Sequence, residues 1–398
     1  MTPTPASLNP DGGEAVIMPP PTPRRGLGTE PVLLVALFFA MLAFPLVVSS
    51  PATQNIAILI LMAAQTGVAW NILGGYAGQV SLGHVAFYGI GAYTSTLLFA
   101  QFGVNPWLGM LSGGVVAALV SLLIGWPCFR LKGHYFSMAT IAVAEIVQII
   151  FTNWDFAGAA VGLTIPMDKQ GWDTFVFASK LPYYYIALGL LLLTVLANLA
   201  IERSYLGYYF RAIKDEPEAA RSLGVPLAKY KQIAFVVSSF LTALGGSFYA
   251  QKELYIDPPS VLGTGLSIKM ALVSILGGIG SLSGPVIGAA VLTTIDEVTR
   301  SVFGGTGRGT DLVIYAALII VIAVYYPTGV VGWFRTFRAR RAGRSAAQRE
   351  AASHAASNEA RRAALQPATS DAIQPEAPSD LHAPTGAAAP TKPAGGAP

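Results

Sequence analysis

Apolar runs of membrane-crossing length follow one another along most of this chain, and that repetition limits what it can fold into more than any other feature. A bilayer core of about 30 Å takes roughly 20 helical residues to cross. Runs near that length lie at Pro31–Val48 and at about 54–73, 84–100, 106–129, 136–152, 183–200, 229–250, 265–279, 284–301 and 311–326. With no water to bond the backbone there, each segment must satisfy its own amides, which selects helices. The short alternating segments of a transmembrane barrel do not occur. Charged residues are 12% of the chain, against roughly a quarter in soluble domains. The expectation is an all-α polytopic membrane protein with eight to ten transmembrane or re-entrant helices. The range reflects 265–279, which is short and carries Lys269, and 284–301 beside it; both are compatible with re-entry.

The two ends read differently from the middle. Residues 1–29 are rich in Pro, Thr and Gly, and 336–398 are basic and then Ala- and Pro-rich; neither has the apolar surface to fold, so both are expected to be disordered. The membrane domain is expected over 30–335. Arg24 and Arg25 precede the first run, which is long and lacks a small-residue cleavage site after it, so it reads as a retained span rather than a signal peptide. Arg335, Arg338, Arg340, Arg341 and Arg344 follow the last run and read as a topology signal. Counted from a cytoplasmic N-terminus, the inner loops collect most of the Lys and Arg, while the loop 153–182 holds Asp155, Asp168 and Asp173. That places both termini and the charged loop 202–228 in the cytoplasm. One cysteine, Cys128, excludes an internal disulfide and a multi-cysteine metal site. No metal site, Walker loop or zinc-protease motif is present in the sequence, and the charge of +4 lies mostly beside the final span, so nucleic acid is not an expected partner.

The charged loop carries the strongest local signals. Asp215-Glu216-Pro217-Glu218 fits a helix N-cap with Glu three residues on, and Pro217 falls in the first turn. Ala219, Ala220 and Leu223 form an apolar strip, Gly224 is a stop signal and Pro226 blocks continuation. A helix this short needs a docking surface, either its own bundle or another protein. Within the spans, Glu145 sits centrally in 136–152 with Gln148 and Thr152 on the same face. A charge there costs a few kcal/mol and is expected to face the bundle interior, as a pathway group or an interhelical hydrogen bond. Glycines four apart (Gly74 and Gly78; Gly280, Gly284 and Gly288) suit close helix packing or interrupted helices beside a path. Ile72-Leu73-Gly74-Gly75 leading to Ser81, and Ile275-Leu276-Gly277-Gly278 leading to Ser281, read either as a short internal duplication or as coincident Gly-rich sequence.

Glu218-Ala219-Ala220 followed by Gly224 matches the E-A-A-x-x-x-G motif of ABC importer permeases. With Leu206-Gly207 and Arg211-Ala212-Ile213, the loop resembles the branched-chain amino acid permease family, in its LivM-type branch. Val225-Pro226 replaces the longer ending of the general motif, as suits this branch. Asn71–Tyr93, Ala234–Ala250, Leu276–Ala290 and Tyr326-Pro327-Thr328-Gly329 are similar to further stretches of that family, so the resemblance covers about 31–335. It implies an ABC importer permease of the bacterial inner membrane that moves branched-chain or related amino acids by alternating access. Urea or short-chain amide importers are the rival within the class, and an ion-coupled secondary transporter the rival outside it. The implied partners are a second permease subunit of similar fold, two ATPase subunits and an extracytoplasmic substrate-binding protein. The chain is expected to bind no cofactor itself, ATP being used by the ATPases, and to be no enzyme. The implied coupling residues are Arg211, Asp215, Glu216, Glu218, Ala219, Ala220 and Gly224. Candidate pathway residues are Asn71, Gln79, Ser81, His84, Glu145 and Gln148.

Overall fold

The computed structural model describes residues 41–48, 50–131, 133–166 and 170–303, with 313, 316, 317 and 320. The expected terminal segments 1–29 and 336–398, the span 311–326 but for four residues, and Tyr326–Gly329 lie outside the described residues, as does most of 31–48. Residues 41–47 are helical. The long helices that follow are α1 (Pro51–Asn71), α2 (Val85–Phe102), α3 (Pro106–Cys128), α4 (His134–Thr152) and α5 (Leu181–Arg203). After them come two short helices, α6 (Tyr205–Asp215) and α7 (Pro217–Ser222), then α8 (Leu227–Glu253), the short α9 (Pro258–Leu262), α10 (Thr264–Gly278) and α11 (Gly284–Phe303).

Local chemistry sets several of these boundaries. Asn105 accepts from the Trp107 amide at 2.9 Å, and Pro106 occupies the first turn of α3, where its missing N–H costs nothing. Gly103 ends α2 in the left-handed conformation. Past Asn71, α1 widens into a π-helical turn over Ile72–Tyr76, with the Ala77 amide reaching back to the Ile72 carbonyl. Such widened turns recur at functional sites.

Among the described residues, six helical segments are long and apolar enough to cross a membrane: Pro51–Tyr76, α3, α4, α5, α8 and Pro258–Gly278. This is fewer than the eight to ten expected. The 84–100 and 284–301 segments are helices, as expected, but differ in composition. α2 is rich in Gly, Tyr, Ser and Thr and is buried in protein along most of its length, so it needs no apolar coat. α11 carries Asp296, Glu297 and Arg300.

α1 and α8 form the centre, each 72% buried over its apolar window. α8 packs on α2, α3 and α1, while α1 also packs on α5, α10 and α11. Lipid tails give no hydrophobic drive between helices, so close packing and polar bonds must hold them. Both are present. A Cβ at Gly246 would collide with the Tyr88 carbonyl, which is why α2 and α8 can lie so near each other. Gln65 Nε2 donates to the Leu241 carbonyl at 2.8 Å, Asn198 Nδ2 to that of Val68 at 2.8 Å and Ser274 Oγ to that of Gly67 at 2.7 Å. α10 and α11 form a tight antiparallel pair in which Gly288 faces the Val273 carbonyl and Gly277 faces that of Gly284, the close approach expected of Gly284 and Gly288. At one end of the bundle, β1 (Leu163–Thr164) pairs antiparallel with β2 (Tyr255–Ile256) and ties the loop after α4 to the end of α8.

Candidate functional site

The end of the bundle opposite β1 and β2 carries the charged loop. It holds two helices, where one had been expected to start at Asp215. Asp215 is the last residue of α6, and the N-cap of α7 is Glu216, in extended backbone with no side-chain bond to the helix. The capping reading missed that Gly207, Phe210 and Ile213, three apart, bury one face of a preceding helix and carry it through Asp215. The stop signal holds. Gly224 sits at φ 83°, its amide bonds the Arg221 carbonyl at 2.9 Å, and the Val225 amide reaches back to that of Ala220 at 3.1 Å. These two bonds close a Schellman turn. Ala220 is buried against the bundle, while Arg211, Asp215, Glu216, Glu218, Ala219 and Gly224 are exposed. Arg211 pairs with Glu202 at 3.1 Å, and Glu218 lies 3.8 Å from Arg221. Tyr205, Tyr208 and Leu223 are exposed on the same segment, the last at 85%. The result is a charged helix rooted by one small residue and edged by large apolar side chains.

Two glycine turns lie directly beneath α6. The turn after α1 places Gly78 at φ 68° and the turn after α10 places Gly280 at φ 75°, values that tolerate few other residues. Both glycines abut Lys214 of α6. Asn71 joins the turns: its Oδ1 accepts from the Gly280 amide at 2.9 Å and its Nδ2 donates to the Ser281 carbonyl at 3.0 Å. The two similar Gly-rich stretches of the sequence thus end side by side. Lys214 was not singled out in the sequence, because nothing local shows which turns a lysine will cover.

The pathway candidates divide into separate groups. Asn71, Ser81 and His84 are fully buried near this junction, and Gln79 is half-buried. Trp70 Nε1 donates to the Ser81 carbonyl at 2.7 Å. Ser238 Oγ gives its single proton to the Ala69 carbonyl at 2.7 Å, so at its 2.7 Å contact with His84 it must accept. His84 is thereby assigned the tautomer with hydrogen on Nε2. Asn71 and His84 thus fasten helices together, whereas the Gln79 side chain reaches only the Ala77 carbonyl and the buried Ser81 hydroxyl has no hydrogen-bond partner among the described residues. Glu145 and Gln148 belong elsewhere, on α4. Here the expectation of an inward carboxylate fails: Phe136, Thr140 and Ala144 form the face turned to the bundle, and Glu145 is exposed beside them. One residue of helix is about 100° of rotation, enough to carry it off the packed stripe.

At the far end, α1, α8, α10 and α11 diverge around a crevice of about 440 Å³. Lys252, Glu253, Lys269, Asp296, Glu297 and Arg300 line it above apolar side chains that include Leu59, Met62, Met270 and Val273. Lys252 pairs with Glu253, and Lys269 with Asp296 across the α10–α11 pair. Lys269 lies on α10, and Asp296 and Glu297 lie on α11. Their convergence with α8 depends on tertiary packing that spacing along one helix does not show.

Comparison with known proteins agrees with this architecture. Residues 52–322 match the family described as branched-chain amino acid transport system / permease component. The chain is 28% identical to the high-affinity branched-chain amino acid transport system permease protein LivM of Escherichia coli K12, over 76% of this chain and 75% of that protein. It is 25% identical to LivH of the same organism over 68% of this chain and 91% of that protein. It is 27% identical to the autoinducer 2 import system permease protein LsrC of Yersinia pseudotuberculosis, over 66% and 71%. A match across the helices from α1 through α11 and beyond leaves one assignment: this multi-pass membrane protein belongs to the branched-chain amino acid transport permease family.

Proposed function

We propose that this chain is the membrane-spanning permease subunit of an ATP-driven importer for branched-chain or related amino acids. The observation that carries the reading is α7, a charged helix projecting from the bundle and rooted through α6 onto the turns that end α1 and α10. A partner that moves α7 moves α6, and through Lys214 and Asn71 it moves the ends of the central helices. Two ATPase subunits are the partners that this arrangement suits, with ATP bound by them and no cofactor held by this chain. Arg211, Asp215, Glu216, Glu218 and Ala219 form the contact, while Ala220 and Gly224 fix its shape. On this reading α7 and both termini lie in the cytoplasm, the crevice end faces outward toward a substrate-binding protein, and a second permease subunit of similar fold covers the exposed face of α4. Relatives named for branched-chain amino acids support the cargo class.

The test is Glu218→Lys. A reversed charge at the tip of α7 should abolish co-purification with the ATPase subunits and ATP-dependent leucine uptake while leaving membrane insertion intact. A variant that still binds its ATPase and transports normally would overturn the coupling assignment.

A further inference from the structure

We propose that the crevice between α1, α8, α10 and α11 is a resting site for a zwitterion with an apolar side chain, held by Glu297 and Arg300. The inference rests on the substrate reading above and gives that substrate a place in this chain. The cavity of about 440 Å³ falls within the range of small-molecule sites, roughly 300–1,000 Å³. Its rim carries three cationic and three anionic side chains, so it offers no net charge to a simple anion or cation. Two opposite pairs satisfy each other. Glu297 and Arg300 remain, with no ion pair among the described residues, three positions apart on α11 and therefore on one face. One turn before Glu297, the buried Thr293 hydroxyl lines the same crevice and has no hydrogen-bond partner.

An α-amino acid matches this set group for group. Its ammonium meets Glu297, its carboxylate meets Arg300 with Thr293 as a second donor, and an aliphatic side chain descends between Met62, Met270 and Val273. The position also suits passage. The charged rim reaches Lys252, 25 residues and so about 38 Å along α8 from its start beside α7. A molecule here would sit at the end of the bundle away from the coupling helix.

The assembled importer in proteoliposomes, with both permease subunits and its ATPases, is illuminated with a diazirine-bearing leucine analogue, and labelled peptides are mapped by mass spectrometry. Label is expected on the α1 and α10 segments lining the crevice, and L-leucine should compete it away. Isovalerate and isoamylamine, which keep one charge each, should compete at least about tenfold more weakly. Arg300→Gln and Glu297→Gln should each cut labelling about tenfold, the loss of one charged hydrogen bond, while Arg300→Lys retains it. Label outside the crevice, or label there that neither neutralisation alters, overturns the inference even where ATP-dependent leucine uptake is intact. An importer that takes up no L-leucine at all fails the substrate reading instead, and the inference falls with it.

Discussion

Ser238 holds together three helices with one hydroxyl. It donates to the Ala69 carbonyl on α1 and accepts from His84 at the start of α2, while sitting fully buried on α8. The sequence offered His84 and Asn71 as candidate pathway residues. Their partners show another use: each answers a polar group that would otherwise be buried unbonded, at about 1–3 kcal/mol apiece. Ser238→Ala should therefore destabilise the purified permease by roughly that amount, since it strands the His84 N–H. In a His84→Leu background the same change should cost much less, because the stranded donor is gone. Thermal denaturation of the four proteins of this cycle measures the coupling. Strictly additive losses would show that the relay has no energetic reality.

The charged loop that holds α6 and α7 displays, at the scale of elements, what local sequence can and cannot announce. The end of α7 was legible because a left-handed stop depends only on Gly224 and its immediate neighbours. Its start was not, because α6 exists through the burial of Gly207, Phe210 and Ile213 against the bundle, a tertiary effect that outweighed the capping pattern at Asp215. The long helices were legible from hydropathy, yet α2 and α11 show that a helix surrounded by protein or facing a charged crevice need not be fully apolar. Asn71 and Gly280 are 209 residues apart, and no reading of either neighbourhood joins them. The Schellman turn makes a graded prediction. Gly224→Ala forces a Cβ into left-handed backbone at about 1–2 kcal/mol, whereas Asn visits that region more readily. No atom crowds the position, so backbone conformation alone should set the order. Pull-down of the ATPase subunits should rank Gly224 above Gly224→Asn and that above Gly224→Ala. Equal retention by all three would mean that the turn does not shape the contact.

At the scale of the whole molecule, the described residues leave one side of the bundle thinly covered. α4 is only 17% buried over its apolar window, against 72% for α1 and α8, and Glu145 stands exposed near its middle. Tyr135, Met138, Ala142, Glu145 and Ile149 are all exposed and recur at alternating spacings of three and four, the seam by which one helix packs along another. A carboxylate left in lipid costs about 2.5–3.5 kcal/mol on insertion scales, and the described part of this chain supplies it no ion pair. The second permease subunit proposed above, packed along this seam, would resolve both facts by giving Ala142 a close contact and Glu145 a polar one. Two experiments separate that arrangement from a lipid-facing helix. In a Cys128→Ser background, which removes the sole cysteine, a photoreactive maleimide on Ala142→Cys should cross-link to the second permease subunit, while the same probe on Leu123→Cys of α3 should not. Glu145→Leu sharpens the distinction, because the two settings predict opposite signs. On a lipid face the substitution relieves the cost of the charge and stabilises the protein. Within an interface it strands the partner's polar group, so co-purification of the two permeases should fall about tenfold or more. Unchanged pairing together with a higher melting temperature would return α4 to the lipid.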